Sequence, residues 1–165
     1  VWLIKPSVDD RDGANIVKSR VGLSREAEVI TPEDSIRARY EATGGRDVII
    51  ADEAQFLTPE QIDELRDIVD ELNVPVLCFG LRTDFLTHMF PGSRRLMELA
   101  DSITEVKTVC ACGAKATVNA RLTPDGRIVT EGEQVFLGGN DAYVAMCHRC
   151  WKKKINEQSR VLMKK

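Results

Sequence analysis

Twice in the N-terminal half an apolar run gives way to the same formula for starting a helix. Thr31-Pro32-Glu33-Asp34 follows the run 27–30, and Thr58-Pro59-Glu60-Gln61 follows the run 47–53. A threonine cap, a proline in the first turn and an acid or amide at the third helical position satisfy the orphan N–H groups of a new helix. The first helix is expected to run to about Ala42 and to end at Gly44-Gly45. The second shows Ile62, Leu65, Ile68, Val69 and Leu72 on one face. Residues 1–5, 27–30, 47–53, 74–79 and 102–109 read as strands, and a further helix is expected from about Ser93 to Ala100. The run 74–79 is apolar throughout, as a strand covered on both faces requires. Strand and helix in alternation mean a mostly parallel α/β sheet. Residues 6–24 are polar and read as a long loop at the active face of that sheet. The first strand begins at Val1 itself, which implies further residues upstream.

The grammar changes at Cys110. Short alternating stretches follow, with turns at Pro124-Asp125-Gly126 and Gly138-Gly139-Asn140, and a basic amphipathic helix begins at Trp151. The chain is therefore divided into an α/β core over 1–109, a small β-rich module over 110–157, and a loose tail over 158–165. Four of the five cysteines fall in this module as two close pairs, Cys110 and Cys112, then Cys147 and Cys150. With the composition of an ordinary cytoplasmic protein, such pairs favour a metal over disulfides. Four thiolates close a tetrahedral zinc shell and leave no open position, so this zinc is structural. His148 lies inside the second knuckle and is expected to face solvent. The fifth cysteine, Cys78, sits in an apolar run and reads as a small buried hydrophobe.

Ile49-Ile50-Ala51-Asp52-Glu53 ends a buried strand on two carboxylates. In parallel α/β sheets ligands bind beyond the carboxyl ends of strands, and an acid there can stand beside a nucleotide's magnesium. Asp52 would hold the magnesium shell, and Glu53 would take a hydroxyl proton from the substrate. The pair also fits two solvated acids at a strand end. Leu81, Phe85 and Phe90 are large apolar side chains on one loop, suited either to core packing or to lining a pocket for a flat ligand. Asp9 and Arg11 follow the first strand and face the same side, or are simply solvated. The net charge of −3 and pI near 5.5 argue against a general grip on nucleic acid. No apolar run reaches the length of a membrane span, and no signal-peptide pattern opens the chain.

In order, these pieces resemble the bacterial branch of the type II, zinc-containing thymidine kinases. The carriers are Asp9-Asp10-Arg11, Ser19-Arg20-Val21-Gly22-Leu23-Ser24, Asp52-Glu53-Ala54-Gln55-Phe56-Leu57, and the run from Pro75 through Gly80-Leu81-Arg82-Thr83-Asp84-Phe85. To these add Val106-Lys107-Thr108-Val109-Cys110-Ala111-Cys112-Gly113 and Glu131-Gly132-Glu133-Gln134-Val135-Phe136-Leu137-Gly138-Gly139-Asn140. The resemblance implies a P-loop NTPase fold of RecA-like type with a zinc-bound C-terminal lasso, and transfer of a phosphoryl group from ATP with Mg2+ to the 5′-hydroxyl of thymidine or deoxyuridine. It implies Glu53 as the catalytic base and Asp52, Glu53, Ala54 and Gln55 as the segment beside the nucleotide. Leu81, Phe85, Phe90 and Tyr143 would form the wall around the thymine, and Gln134 to Leu137, with Phe136 among them, the lasso that holds the base. It further implies a homotetramer and feedback inhibition by dTTP, with neither nucleic acid nor membrane as a partner. The family's G-x-x-x-x-G-K-[ST] motif does not occur in these residues, and is expected upstream of Val1. The rival readings are another P-loop ATPase acting on nucleic acid and a non-enzymatic zinc-ribbon binding module.

Overall fold

A computed structural model describes residues 1–9, 15–18, 22–135 and 142–162. It forms two compact units, Val1–Arg82 with Phe90–Ser102, and Thr83–Met89 with Ile103–Lys165. The second unit thus includes a short loop from the middle of the chain, as well as the cysteine-bearing part.

The first unit holds β1 (Trp2–Pro6), β2 (Ile16–Lys18), β3 (Ser24–Glu26), β4 (Glu28–Ile30), α1 (Ile36–Ala42), β5 (Ile49–Ala51), α2 (Pro59–Leu72), β6 (Val76–Cys78) and α3 (Pro91–Leu99). Its sheet has the order β4-β1-β5-β6, and all its pairings are parallel. Trp2 stands opposite Ile49, and Ile4 stands opposite both Ala51 and Glu28. The core is built on Ile4, Ile30 and Ile49 from the strands, Ile36 and Tyr40 from α1, and Ile62, Leu65 and Ile68 from α2. Burying side chains of this size stabilises the unit by about 1.5–3 kcal/mol each. The expected face of α2 is present, except that Leu72, in its last turn, is exposed.

The loop expected over 6–24 contains an antiparallel hairpin, in which β2 pairs with β3. Within the run 74–79 the strand is β6, which among the described residues lies at the sheet's edge, where Leu77 and Phe79 are exposed. Cys78 is only half-buried by surface area, yet desolvation pushes its thiol up to about 11, so it stays protonated at neutral pH.

Both helix-start formulas matter, but they act differently. At α2 the capping box is complete: Thr58 Oγ1 accepts from Gln61 N–H at 3.2 Å, and Gln61 Oε1 accepts from Thr58 N–H at 3.1 Å. The helix after Thr31 starts later than expected, with Ser35 as its cap. The Thr31 N–H is taken by the Asp34 carboxylate at 2.8 Å. The Thr31 and Asp34 carbonyls accept from the Gln61 side-chain amide at 2.8 and 3.0 Å. These groups are satisfied in a turn, so the helix has no need of them. One glutamine therefore joins the approaches to α1 and α2.

The second unit holds β7 (Thr108–Val109), β8 (Lys115–Ala116), β9 (Val118–Arg121), β10 (Tyr143–Met146) and α4 (His148–Leu162). β7 pairs with β8 and β9 with β10, both antiparallel. The strand expected over 102–109 is reduced to β7, and belongs to the cysteine knuckle. The turn at Pro124-Asp125-Gly126 closes between Thr123 and Arg127. The turn expected at Gly138-Gly139-Asn140 lies outside the described residues. In place of a loose tail from Gln158, α4 continues to Leu162, because the Gln158 side chain pairs with both the N–H and the C=O of Ile128, at 2.6 and 3.1 Å. Among the described residues no helix is long and apolar enough to cross a membrane.

Replacing Gln61 with Ala should cost about 2–3 kcal/mol in urea unfolding, since it leaves two carbonyls and a cap donor unpartnered. The Asp34 carboxyl is held below its ordinary range by the Thr31 N–H and then by Arg39. Its contribution is present above the unfolded pKa and fades as pH falls through the lower folded value. The stability gap between wild type and Asp34→Asn, measured by unfolding across pH, should be full above about pH 4 and close below it.

Candidate active site and metal centre

β5 ends where Asp52 N–H donates to the Ile4 carbonyl at 3.0 Å, which keeps the strand beside β1 up to its last residue. The chain then turns sharply. Glu53 adopts a left-handed conformation, φ 49° and ψ 36°, and a 3-10 turn over Ala54–Phe56 follows. A non-glycine residue held there costs about 1–3 kcal/mol, so the surroundings must enforce it. Gln55 does much of this. Fully buried, it donates from Nε2 to Glu53 Oε2 at 2.5 Å and accepts the Leu81 N–H on Oε1 at 3.0 Å.

Two glycines let the backbone close around this turn. A Cβ on Gly80 would collide with Gln55 Oε1 and meet the backbone N of Gln55 at 3.1 Å. A Cβ on Gly92, in the first turn of α3, would meet the carbonyls of Leu57, Ala54 and Gln55 at 2.5, 2.9 and 2.9 Å. The Ala54 methyl is enclosed in the core, so Ala54 can offer a ligand only its backbone. Phe90 packs edge-on against Phe56 with centroids 5.5 Å apart, while Leu81 is exposed beside the turn. Asp9 lies past the end of β1, nearly buried. Its carboxylate is 3.4 Å from Nζ of the fully buried Lys5, which also donates to the Ile16 carbonyl at 3.0 Å. The first unit therefore gathers Asp52, Glu53 and Asp9 at the carboxyl ends of two neighbouring strands. Arg11 lies outside the described residues.

In the second unit Phe85 is buried beneath the guanidinium of Arg121, and the Tyr143 hydroxyl accepts from Arg121 Nε at 3.1 Å. The side-chain amide of Gln134 donates to Asp84 at 2.9 Å. Phe136 lies outside the described residues.

The sulfurs of Cys110, Cys112, Cys147 and Cys150 all lie within 4.8 Å of one another, those of Cys112 and Cys147 at 3.7 Å. Tetrahedral thiolate ligands about 2.3 Å from a zinc ion stand about 3.8 Å apart, so the spacing fits such an ion. The first pair is carried on the turn after β7, where Gly113 N–H reaches the Cys110 carbonyl at 2.8 Å. The second straddles the start of α4, where Cys150 N–H points at Cys147 Sγ from 3.4 Å. Backbone hydrogen bonds with Cys112 and Cys147 pull the Cys110 thiol down to about 6, while hydrogen bonds with Cys112 and Cys147 push Cys150 up to about 12. His148 is exposed, edge-on to Trp151.

A family model described as thymidine kinase matches residues 1–151. This chain belongs to the thymidine kinase family. It is 48% identical over 152 residues to the thymidine kinase of Yersinia pestis, covering 90% of this chain and 77% of the relative. The thymidine kinase of Escherichia coli K12 is 45% identical over 156 residues, covering 92% and 76%. That of Ruegeria pomeroyi is 44% identical over 154 residues, covering 92% and 78%. Family membership across both units sets aside the zinc-ribbon and nucleic-acid ATPase readings.

Sequence reasoning overlooked three polar residues of these clusters: Lys5, Asp84 and Arg121. A lysine closing an apolar strand was a visible signal for the first. Asp84 stands in a loop and Arg121 in a short alternating stretch, and no local pattern marks either.

Removing one thiolate tests the metal centre. Cys147→Ser should lose the bound metal in elemental analysis, and amides of β9 and β10 should exchange faster while those of β1 and β5 keep their rates. Protected β9 and β10 amides after complete chelation would show that the cluster carries no structural metal.

Proposed function

We propose that the protein transfers the γ-phosphoryl group of ATP to the 5′-hydroxyl of thymidine, and of deoxyuridine, giving dTMP for DNA synthesis by nucleotide salvage in the cytoplasm. The observation that carries this reading is Glu53, a carboxylate fixed in a strained turn at the end of a central strand, in a chain of the thymidine kinase family. Phosphoryl transfer asks for positioning and charge neutralisation more than covalent help.

In this reading Glu53 accepts the proton of the attacking hydroxyl, and Gln55 keeps its carboxylate aimed. Asp52 and Asp9, with Arg11, serve the magnesium and triphosphate side, and magnesium supplies neutralisation of phosphate charge when bound with ATP. The backbone from Asp52 to Gln55 borders the nucleotide. Leu81, Phe85, Phe90 and Tyr143 face the thymine, with Gln134 and Phe136 on the lasso. Zinc on the four cysteines is structural: the second unit's core of mostly small residues gains from a cross-link that offsets ordering entropy. In this reading the parallel sheet of the first unit is that of a P-loop NTPase, with the carboxylates of Asp52 and Glu53 at a strand end in the place such folds use beside a nucleotide. A homotetramer with dTTP as feedback inhibitor completes the proposal.

Glu53→Gln in the full-length protein should lower kcat for thymidine by about 10²–10⁴-fold. Thymidine affinity by calorimetry should hold, since no pocket residue changes. Equal loss of affinity and turnover would mean that Glu53 orders the site and takes no proton.

A further inference from the structure

Arg121 ends β9 and is 6% exposed. A buried guanidinium is costly to desolvate, and an apolar side chain of similar volume would pack β9 at least as well. Its surroundings show what it does instead. Its Cζ lies 3.8 Å from the centroid of the Phe85 ring and 5.5 Å from that of Tyr143. Nε donates to the Tyr143 hydroxyl at 3.1 Å, while Nη1 and Nη2 donate to the carbonyls of Glu133 and Gln134 at 3.0 and 3.2 Å. Gln134 then hands the connection on to Asp84 Oδ2, and Asp84 Oδ1 accepts the N–H groups of Leu86 and His88 at 2.8 and 2.9 Å. Three stretches of chain, at Phe85, at Glu133–Gln134 and at Tyr143, meet on one planar group.

We propose that Arg121 is the positioning residue for nucleoside specificity: it sets the ring of Phe85, the hydroxyl of Tyr143 and the backbone at Glu133 and Gln134, and thereby shapes the wall that receives the base. This rests on the reading of Phe85 and Tyr143 as that wall. Planarity is the physical requirement. Only a guanidinium can stack a face on an aromatic ring while sending in-plane N–H groups to two carbonyls and a hydroxyl. A lysine keeps the charge but is a point donor without a plane. An arginine kept only for charge or bulk would tolerate that exchange.

The test uses the full-length enzyme with Arg121→Lys and Arg121→Met. Both should raise KM for thymidine about tenfold or more. KM for ATP, kcat and metal content should stay at wild-type values, and the Leu86 and His88 amides should exchange faster. Wild-type thymidine KM in Arg121→Lys would overturn the proposal, as would a parallel rise in both KM values with loss of metal. Phe85→Ala and Tyr143→Ala, measured alongside, separate the two ideas. If they leave thymidine KM unchanged, the wall reading falls. If they raise it and the Arg121 variants do not, the Arg121 proposal falls alone.

Discussion

The close backbone approach around Asp52 to Phe56 is the constraint on which the first unit's chemistry depends. Glu53 can occupy a left-handed conformation only because the chain on either side is held: Asp52 by the Ile4 carbonyl, Ala54 by the Phe79 carbonyl at 2.9 Å, Gln55 by its own buried amide. Gly80 and Gly92 make that possible by having no Cβ at the two points where β6 and α3 press on the turn. The strain is local and the enforcement is distributed. A carboxylate presented this way has few alternative orientations, which is what a group that must meet one substrate atom needs.

The second unit solves a different problem. Its core cluster rests on Cys110, Val118, Ala120, Ile128, Met146 and Cys147, two of which are also metal-ligand candidates. So small a core orders a long stretch of chain only with cross-links. Two sites can supply them among the described residues: the four sulfurs, which would tie the knuckle after β7 to the start of α4 through a bound cation, and the guanidinium of Arg121, which ties β9 to β10 and to the loop at Asp84. One is a point constraint suited to a cation and the other a planar one suited to aromatic rings and carbonyls. Gln158, hooked on Ile128, does the same for the far end of α4 on a smaller scale.

Much of this was legible in the linear chain. The strand-helix alternation predicted a parallel sheet, Thr58 and Gln61 predicted the cap of α2, and the cysteine spacing predicted a four-sulfur cluster. The misreadings have a common cause. Thr31-Pro32-Glu33-Asp34 has the same local grammar as the true cap, but Gln61, thirty residues on, captures its carbonyls and delays the helix. The run 74–79 is apolar enough for a covered strand and bonds to β5 from Pro75 to Phe79, yet among the described residues it lies at an edge with Leu77 and Phe79 exposed. Local pattern cannot register a partner that arrives from elsewhere.

By itself the sequence determined periodicity, helix capping and the identity of the sulfur and carboxylate donors, because these depend on residues within a few positions of each other. The tertiary structure decided the strand order β4-β1-β5-β6, the left-handed turn at Glu53, the burial of Lys5 against Asp9, and the use of Arg121 as a hub. The strand order and the Arg121 hub join residues far apart in the chain, and even the close neighbours Lys5 and Asp9 pair in a setting that other strands bury, where water is removed as the competing partner.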